Sequence, residues 1–256
     1  MALTQEDIAR VKKMGFLRNR GTELFSGRVV PEGTVFTPGE LSAVAELAER
    51  FGSGKVVPTV RMTLEVVGIP YERIDEAVDF GAQRGLRFGG TGAKVRPVTS
   101  CKGTTCVFGM YDTQAVAREI HEKYYLGWDQ VALPHKFKIA VGGCPNSCVK
   151  PSLNDFGIEG RRTPEGVRFQ VYLGGTWGRT TPMGTPYPRL GGEGELFPLL
   201  EKTMLWFREN AWQRERLGAA MDRLGAESLL SQLEGDGLLE RKEAILSAEL
   251  QQRPKN

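Results

Sequence analysis

Apolar positions near the start of the chain follow the spacing of a strand and then of a helix. Residues 24–30, LFSGRVV, form a strand-like run. In the next segment Thr37 can cap a helix, Pro38 suits its first position, and Glu40 completes a capping box. Gly52 can end this helix. The positions expected to share one apolar face are Leu41, Val44, Ala45 and Ala48.

This alternation continues to about residue 84. Residues 55–68, KVVPTVRMTLEVVG, are rich in β-branched side chains and predict a strand. Pro70 then opens a second helix that runs through about residue 84. The pattern over residues 24–84 therefore predicts the order strand, helix, strand, helix, an α+β arrangement with strands backed by helices.

The rest of the chain mixes short strands with helical segments. A glycine-rich link leads to a predicted helix over about residues 112–126, in which Val116, Ile120 and Tyr124 are spaced for burial. Strand-like runs follow at KFKIAVGG, NDFGIEG and VRFQVYLGG, and then a loop rich in glycine and proline. From Leu196 onward the pattern is helical.

The composition is that of a globular protein with one large domain or two small ones. Of its 256 residues, 40% are hydrophobic and 25% charged. The formal net charge of +3 is too small to indicate nucleic-acid binding. No apolar leader segment and no run of membrane-spanning length is present in the sequence. We therefore expect a cytoplasmic protein, in which paired disulfides are disfavoured.

The four cysteines occur as two close pairs. Cys101 and Cys106 lie in CKGTTC, and Cys144 and Cys148 lie in CPNSC. This spacing permits a structural zinc site, whereas neither pair has the C-x-x-C spacing of a redox disulfide. Buried inert cysteines would explain one or two of them, but not two pairs in glycine-bearing loops. An iron–sulfur cluster held by four thiolates fits as well, and we favour it over zinc.

Cationic residues lie close to these loops along the sequence. Lys136 and Lys138 lie on one face of a predicted strand, because side chains alternate with a period of two. Arg96 precedes the first cysteine pair, and Arg61 and Arg28 lie on or beside predicted strands. Each residue alone is most simply a surface charge. Together they indicate an anionic ligand rich in carboxylate or oxyanion oxygens.

With these features the chain resembles the siroheme-dependent sulfite and nitrite reductases, in a small single-module form. The resemblance covers about residues 10–230 and is carried by RPVTSCKGTTC, LPHKFKIAVGGCPNSCVKPSLNDFGIEG, TVRMTLEVVGIP and QRERLGAAMDRLG. It implies an α+β fold with a ferredoxin-like half-domain over residues 1–90. A siroheme- and [4Fe-4S]-binding α+β domain with a C-terminal helical tail would follow over residues 91–256.

The resemblance implies that the cysteines are cluster ligands. Cys101, Cys106, Cys144 and Cys148 would hold one [4Fe-4S] cluster, and the last thiolate would also bridge to the siroheme iron. The chain departs from the larger members of the family in two places. Its first cysteine pair encloses four residues instead of the usual five, and Met62 replaces a glutamine of the usual TxRQ run.

The resemblance also implies roles for the basic residues. Arg28 and Arg96 would bind substrate oxygens through forked hydrogen bonds. Lys136 and Lys138 would donate protons, and because each is crowded by other cations we expect both to have lowered pKa values. Arg61 would contact the carboxylates of siroheme.

The implied reaction is the six-electron reduction of sulfite to sulfide. Reduction of nitrite to ammonia is the alternative, because the motif does not separate these two anions. No flavin or nicotinamide motif appears in the sequence, so we expect a separate electron donor, a ferredoxin or a reductase subunit. A single module further implies a homodimer or higher oligomer, in which the basic residues of one copy serve a siroheme held by Cys148 of another.

Two other classes of protein stay open at this point. One is a non-catalytic subunit that transfers electrons or holds the cofactors, and the other is a structural protein stabilised by zinc. The basic residues argue against the first, since an electron carrier has no need of groups that bind an oxyanion.

Overall fold

The structure, a computed structural model, describes residues 3–254 and divides into a first unit that ends at Gly92 and a second unit that begins at Ala93. The elements of the first unit are α1 (Gln5–Lys13), β1 (Phe16–Arg18), β2 (Leu24–Val29), α2 (Pro38–Phe51), β3 (Val56–Pro58), β4 (Leu64–Pro70) and α3 (Ile74–Ala82). Its strands form an antiparallel sheet in the order β1-β2-β4-β3. The α+β arrangement expected from the sequence is confirmed.

Helix α2 follows the predicted bounds but turns a different face to the core. Val44 and Ala48 are buried as expected, whereas Leu41 is 48% exposed and Ala45 is also exposed. The buried stripe is displaced toward the larger side chains of Leu47 and Phe51, which lie in the core, where Phe51 packs against Phe80 of α3. The other buried residues of α2 are Ala43, Leu47 and Phe51.

The segment predicted as one strand at residues 55–68 is an antiparallel hairpin of β3 and β4. The chain reverses at residues 59–63, where the Thr59 N–H donates to the Thr63 carbonyl at 2.9 Å. Met62 adopts a left-handed φ of 56° in this turn. The helix expected to open at Pro70 begins only at Ile74, because Pro70 still pairs with β2.

The second unit contains a mixed sheet and most of the helices. Its elements are β5 (Thr99–Ser100), α4 (Thr113–Ile120), β6 (Ile139–Gly142), β7 (Phe156–Thr163), β8 (Gly166–Leu173), β9 (Thr185–Pro186), α5 (Glu193–Asn210), α6 (Leu217–Leu224), α7 (Glu227–Glu234), α8 (Gly237–Glu240) and α9 (Lys242–Ser247). The strand order is β5-β6-β7-β8-β9. Strands β5, β6 and β7 are parallel, and the others pair antiparallel.

One face of this sheet packs on helices α4 and α5. Val116 and Ile120 of α4 are buried, as is Tyr124 in the π-helical turn that continues it at His121–Leu126. The predicted spacing is therefore confirmed, although the α-helix ends at Ile120. The sheet residues in this core include Ile139, Val141, Phe156, Ile158, Phe169, Val171 and Leu173.

Within residues 3–254, no helix combines the length and apolar character needed to cross a bilayer.

Candidate functional site

The two cysteine loops leave the ends of neighbouring parallel strands. Ser100 of β5 lies opposite Val141 of β6, and the Cys101 N–H donates to the Val141 carbonyl at 3.1 Å. Cys101 follows β5 directly, and Cys144 follows β6 after Gly143. Because parallel strands end at the same edge of a sheet, the two loops begin side by side.

Contacts between the loops leave little room for larger side chains. The Gly143 N–H lies 3.2 Å from Cys101 Sγ, and its carbonyl accepts from the Met110 N–H at 3.2 Å. A Cβ atom at position 143 would also lie 3.2 Å from that sulfur. Thr113 donates to the Cys101 carbonyl at 2.6 Å, with its hydroxyl 3.8 Å from Sγ. The glycine before Cys144 thus allows the two loops to meet.

All four thiols are free, as cluster ligation requires. Cys101, Cys106 and Cys144 are partly buried, and Cys148 is exposed. Among the residues that the structure describes, no three His, Cys, Asp or Glu side chains are gathered into a group that could hold a metal ion. In a [4Fe-4S] cluster each thiolate binds a different iron of a cube. Four free thiols on two adjoining loops provide the donor set for such a cluster.

Lys136 and Lys138 lie on one side of the segment that enters β6. Phe137 and Ile139, which alternate with them, are completely buried, whereas both lysines are partly exposed. The predicted alternation is therefore confirmed. The Lys138 ammonium lies 3.3 Å from the carbonyl of Trp177, to which it donates. Both lysines precede β6, at the end of the strand opposite to the cysteines.

Arg96 reaches the same region from the neighbouring strand segment. Its N–H donates to the Phe137 carbonyl at 2.8 Å, next to the parallel bridge between Val95 and Phe137. Its charge contributes to lowering the pKa of Lys136 and of His135. Arg96 and the lysines, brought together from separate parts of the sequence, therefore share one end of the sheet.

The buried carboxylate of Asp155 binds two basic residues of this region. No role had been predicted for it from the sequence. Asp155 is completely buried, and its Oδ2 accepts from the Lys138 N–H at 2.7 Å. Arg216 donates to both carboxylate oxygens, through Nε at 3.2 Å and a terminal nitrogen at 2.7 Å. Burial raises the pKa of Asp155, while Arg216 and the Lys138 N–H act in the opposite direction.

The surroundings of Lys136 make its ammonium more acidic. Burial is the main cause of its lowered pKa, followed by the charges of Arg216 and Arg96, whereas Asp155 opposes the change. The lowered pKa expected for Lys136 is thus confirmed, with burial contributing more than the crowding of charges. A lysine in this state is a better proton donor than a solvated one.

His135 completes the group, which we call the basic cluster. Burial is the first cause that lowers the pKa of His135 to about 4, and Arg216, Lys136, Arg96 and Lys138 add to it. Its Nδ1 accepts from the Lys136 N–H at 2.7 Å, so this nitrogen carries no proton. The basic cluster consists of Arg96, His135, Lys136, Lys138 and Arg216.

Two of the arginines predicted at the site belong to the first unit. Arg28 donates twice to Glu65 Oε1, at 2.9 and 2.6 Å, and once to the Gly90 carbonyl at 2.7 Å. Its side chain is 18% exposed. Arg61 lies in the turn between β3 and β4, where its N–H donates to the Thr59 hydroxyl at 3.2 Å. The roles expected for these two arginines stay predictions.

Comparison with known proteins places both units in described families. Residues 91–238 match the family described as nitrite and sulphite reductase 4Fe-4S domain. Residues 18–80 match the nitrite/sulfite reductase ferredoxin-like half domain. The first match covers more than half of the chain and includes all four cysteines, Arg96 and both lysines.

Two relatives illustrate how much of each protein is shared. The Coenzyme F420-dependent sulfite reductase of Methanocaldococcus jannaschii is 34% identical over 149 residues, which is 58% of this chain but only 23% of that protein. An assimilatory-type sulfite reductase of Nitratidesulfovibrio vulgaris is 27% identical over 203 residues, covering 76% of this chain and 85% of that protein. The chain thus spans about a quarter of the first relative and most of the second.

A solved structure shares the fold. The Mycobacterium tuberculosis NirA protein superposes with a TM-score of 0.78 over 99% of this chain and 49% of its own, at 18% sequence identity. At this identity the likeness concerns the fold alone.

Proposed function

The chain belongs to the family of nitrite and sulphite reductases, and on this premise we propose that it reduces sulfite to sulfide with electrons from a separate donor protein. The cofactors of this family are siroheme and a [4Fe-4S] cluster. When bound, they supply an iron that takes the substrate and a route for six electrons. The family match also favours a cluster over zinc at the cysteines, which the spacing had left open.

The basic cluster is the observation that carries this proposal. The Lys138 N–H and the Arg216 guanidinium donate to the buried carboxylate of Asp155. Arg96 and Lys136 lie at the same end of the sheet, so two guanidinium and two ammonium groups are gathered there. A small oxyanion fits such a site, because guanidinium and ammonium groups donate to its oxygens. A protein that only carries electrons does not need such an anion-binding site.

In this proposal each residue type has a separate task. Arg96 holds substrate oxygens, and its charge persists throughout the reaction. Lys136 delivers protons as oxygens leave as water, a task that its lowered pKa favours. Lys138 lies on the same side and is the second proposed proton donor. Arg28 and Arg61 are proposed to act on substrate and on siroheme carboxylates, as the resemblance implied.

The cysteines hold the redox group. Cys101, Cys106, Cys144 and Cys148 are proposed as cluster ligands, with Cys148 also the ligand shared with siroheme. The free thiols and the contact between the two loops support this assignment. Sulfite is the proposed substrate because the relative that is 34% identical is a sulfite reductase. Nitrite stays the alternative, because the chain is also similar to the nitrite reductase of Bacillus subtilis, 26% identical over 213 residues.

Substitution of Lys136 by methionine tests the proposal. The variant keeps the length and apolar stem of the side chain but cannot donate a proton, so we expect sulfite turnover with a reduced dye to fall by about 10²–10⁴-fold. The visible spectrum of the cofactors should not change.

The matched control is Lys123→Met, which removes an exposed lysine paired with Glu119 on the neighbouring helix. Unchanged turnover in Lys136→Met would contradict the role of this lysine. Parallel assays with nitrite decide the substrate by the ratio of kcat/KM values. A coloured wild-type protein that turns over neither anion would instead be a cofactor-holding subunit.

A further inference from the structure

We propose that Asp155 and Arg216 are positioning residues: Asp155 fixes the lysine segment and holds the Arg216 guanidinium at the same end of the sheet, where its charge acts on Lys136. The consequence for catalysis rests on the proposed function, whereas the effect on Lys136 itself does not. The proposal stands on three separate attachments between distant parts of the chain.

The first attachment fixes the backbone of Lys138 from both sides. Its N–H donates to Asp155 Oδ2 at 2.7 Å, and its carbonyl accepts from the Phe156 N–H at 3.1 Å. Asp155 directly precedes β7, the central parallel partner of β6. With both backbone groups engaged, the side chain of Lys138 leaves the strand in a defined direction.

The second attachment brings in Arg216 from the segment before α6, 61 positions further along the chain. Its forked contact uses Nε and a terminal nitrogen on the two oxygens of Asp155. The Arg216 side chain is 14% exposed and that of Asp155 is 0% exposed. A fork between planar groups fixes orientation as well as distance, which a single ammonium contact does not.

The third attachment joins the same segment to the residues before the lysines. The Arg214 N–H donates to the Pro134 carbonyl at 2.9 Å, and Arg214 takes a left-handed φ of 69° there. The intervening Glu215 pairs with Arg223, so it does not compete for Arg216. Contacts at Pro134 and at Asp155 therefore hold the lysine segment at both of its ends.

The charged groups that act on Lys136 belong to three other parts of the chain: the segment before β5, the residue before β7 and the segment before α6. Arg216 and Arg96 favour loss of its proton, and Asp155 favours its retention. His135 precedes it and Lys138 follows two positions later on the same side. Among the charged neighbours, Arg216 has the largest effect on Lys136. We therefore expect Arg216 to add to the effect of burial and to make Lys136 give up its proton more readily.

Arg216→Gln in the cofactor-loaded protein tests this directly. Competitive acylation with acetic anhydride across a pH series, read by mass spectrometry of the Lys136 peptide, reports the pKa of this amine without turnover. We expect the labelling curve to move to higher pH, because a nearby positive charge is lost. The alkaline limb of the sulfite turnover profile should move the same way, with a lower rate at neutral pH.

Three further variants keep the test decisive. Arg216→Lys retains the charge but not the fork, so its Lys136 labelling curve should stay near that of the wild type. Asp155→Asn/Arg216→Gln avoids an unpaired buried carboxylate and should still move the curve upward, by less than the single variant. Arg241→Gln removes an arginine–carboxylate pair with Glu209 elsewhere in the second unit and should leave the curve in place.

The possible outcomes separate the two proposals. Lys136 labelling curves that coincide in the wild type, Arg216→Gln and the double variant would overturn the positioning role, even if turnover were lost. A shifted curve in a protein that never reduces sulfite or nitrite would overturn the proposed function and leave this inference standing.

Discussion

At the scale of single residues, the environment decides the chemistry of the basic cluster. Lys136 would carry an ordinary solvated ammonium if it stood elsewhere on the surface. Here partial burial, Arg216 and Arg96 all favour its neutral form. The same surroundings keep His135 neutral near pH 7, so its Nδ1 stays available to the Lys136 N–H. The lysine segment is thus held by a histidine that must not be protonated.

Stability should therefore fall as His135 is forced to bind a proton. Its pKa is about 4 in the folded protein, against 6.5 for an unperturbed histidine. Between these values the unfolded chain binds more protons, so the free energy of unfolding decreases as the pH is lowered from about 6.5 to about 4. After allowance for solvent screening at this partly exposed site, we expect a contribution of about 1–2 kcal/mol.

Urea unfolding at pH 7, 5.5 and 4.5 measures this contribution. His135→Gln keeps a side chain that can accept a hydrogen bond but does not titrate, so its stability should change less over this range than that of the wild type. Parallel pH curves for the two proteins would show that His135 is not the group responsible.

At the scale of elements, the strongest local signals are those that fix helix ends. In α2 the Thr37 hydroxyl accepts from the Glu40 N–H at 3.2 Å, and the Glu40 carboxylate accepts from the Thr37 N–H at 2.7 Å. The reciprocal pair predicted from the sequence is thus present. It satisfies two N–H groups that have no partner within the helix.

Removal of this cap should weaken the first unit. Thr37→Ala leaves the Glu40 N–H without its side-chain acceptor, and we expect a loss of about 1 kcal/mol in the free energy of unfolding. Ser42→Ala serves as the control, because its exposed hydroxyl only donates back to the Pro38 carbonyl in the same helix. Denaturant unfolding followed by circular dichroism would give both values. Equal losses in the free energy of unfolding of the two variants would show that the cap does not stabilise the first unit more than the Ser42 hydroxyl does.

Features that depend on distant contacts could not be read from local pattern. The hairpin at residues 55–68 escaped prediction because its turn contains no glycine and Met62 supplies the left-handed residue. Likewise Asp155 and Arg216 lie 61 positions apart, and no spacing rule joins them. The position of the cysteine pairs in loops and of the two lysines on one side of a strand could be predicted from sequence, because turn residues and strand alternation are local. The roles of these residues stay predictions.

At the scale of the whole molecule, the sheet of the second unit separates the cations from the thiols. Arg96 and Lys138 precede β5 and β6, whereas Cys101 and Cys144 follow them. The four residues of β6 alone span about 13 Å. If Cys148 also bound the siroheme iron, as proposed, substrate held by that iron would lie close to the Cys148 sulfur. We therefore expect the basic cluster of one copy to serve the cofactors held by a second copy, as the resemblance implied.

Complementation between two inactive variants tests this arrangement. Arg96→Gln keeps the cysteines, and Cys148→Ser keeps the basic cluster, so each protein alone should lack sulfite turnover. In a symmetric dimer that shares its sites, a mixed pair regains one intact site out of two. Random pairing on co-expression should then restore about a quarter of the wild-type activity in the mixture, and mixed dimers isolated through two affinity tags should have about half of it. If each copy uses its own residues, or if light scattering shows a monomer, the mixture stays inactive, because neither variant contains a complete site.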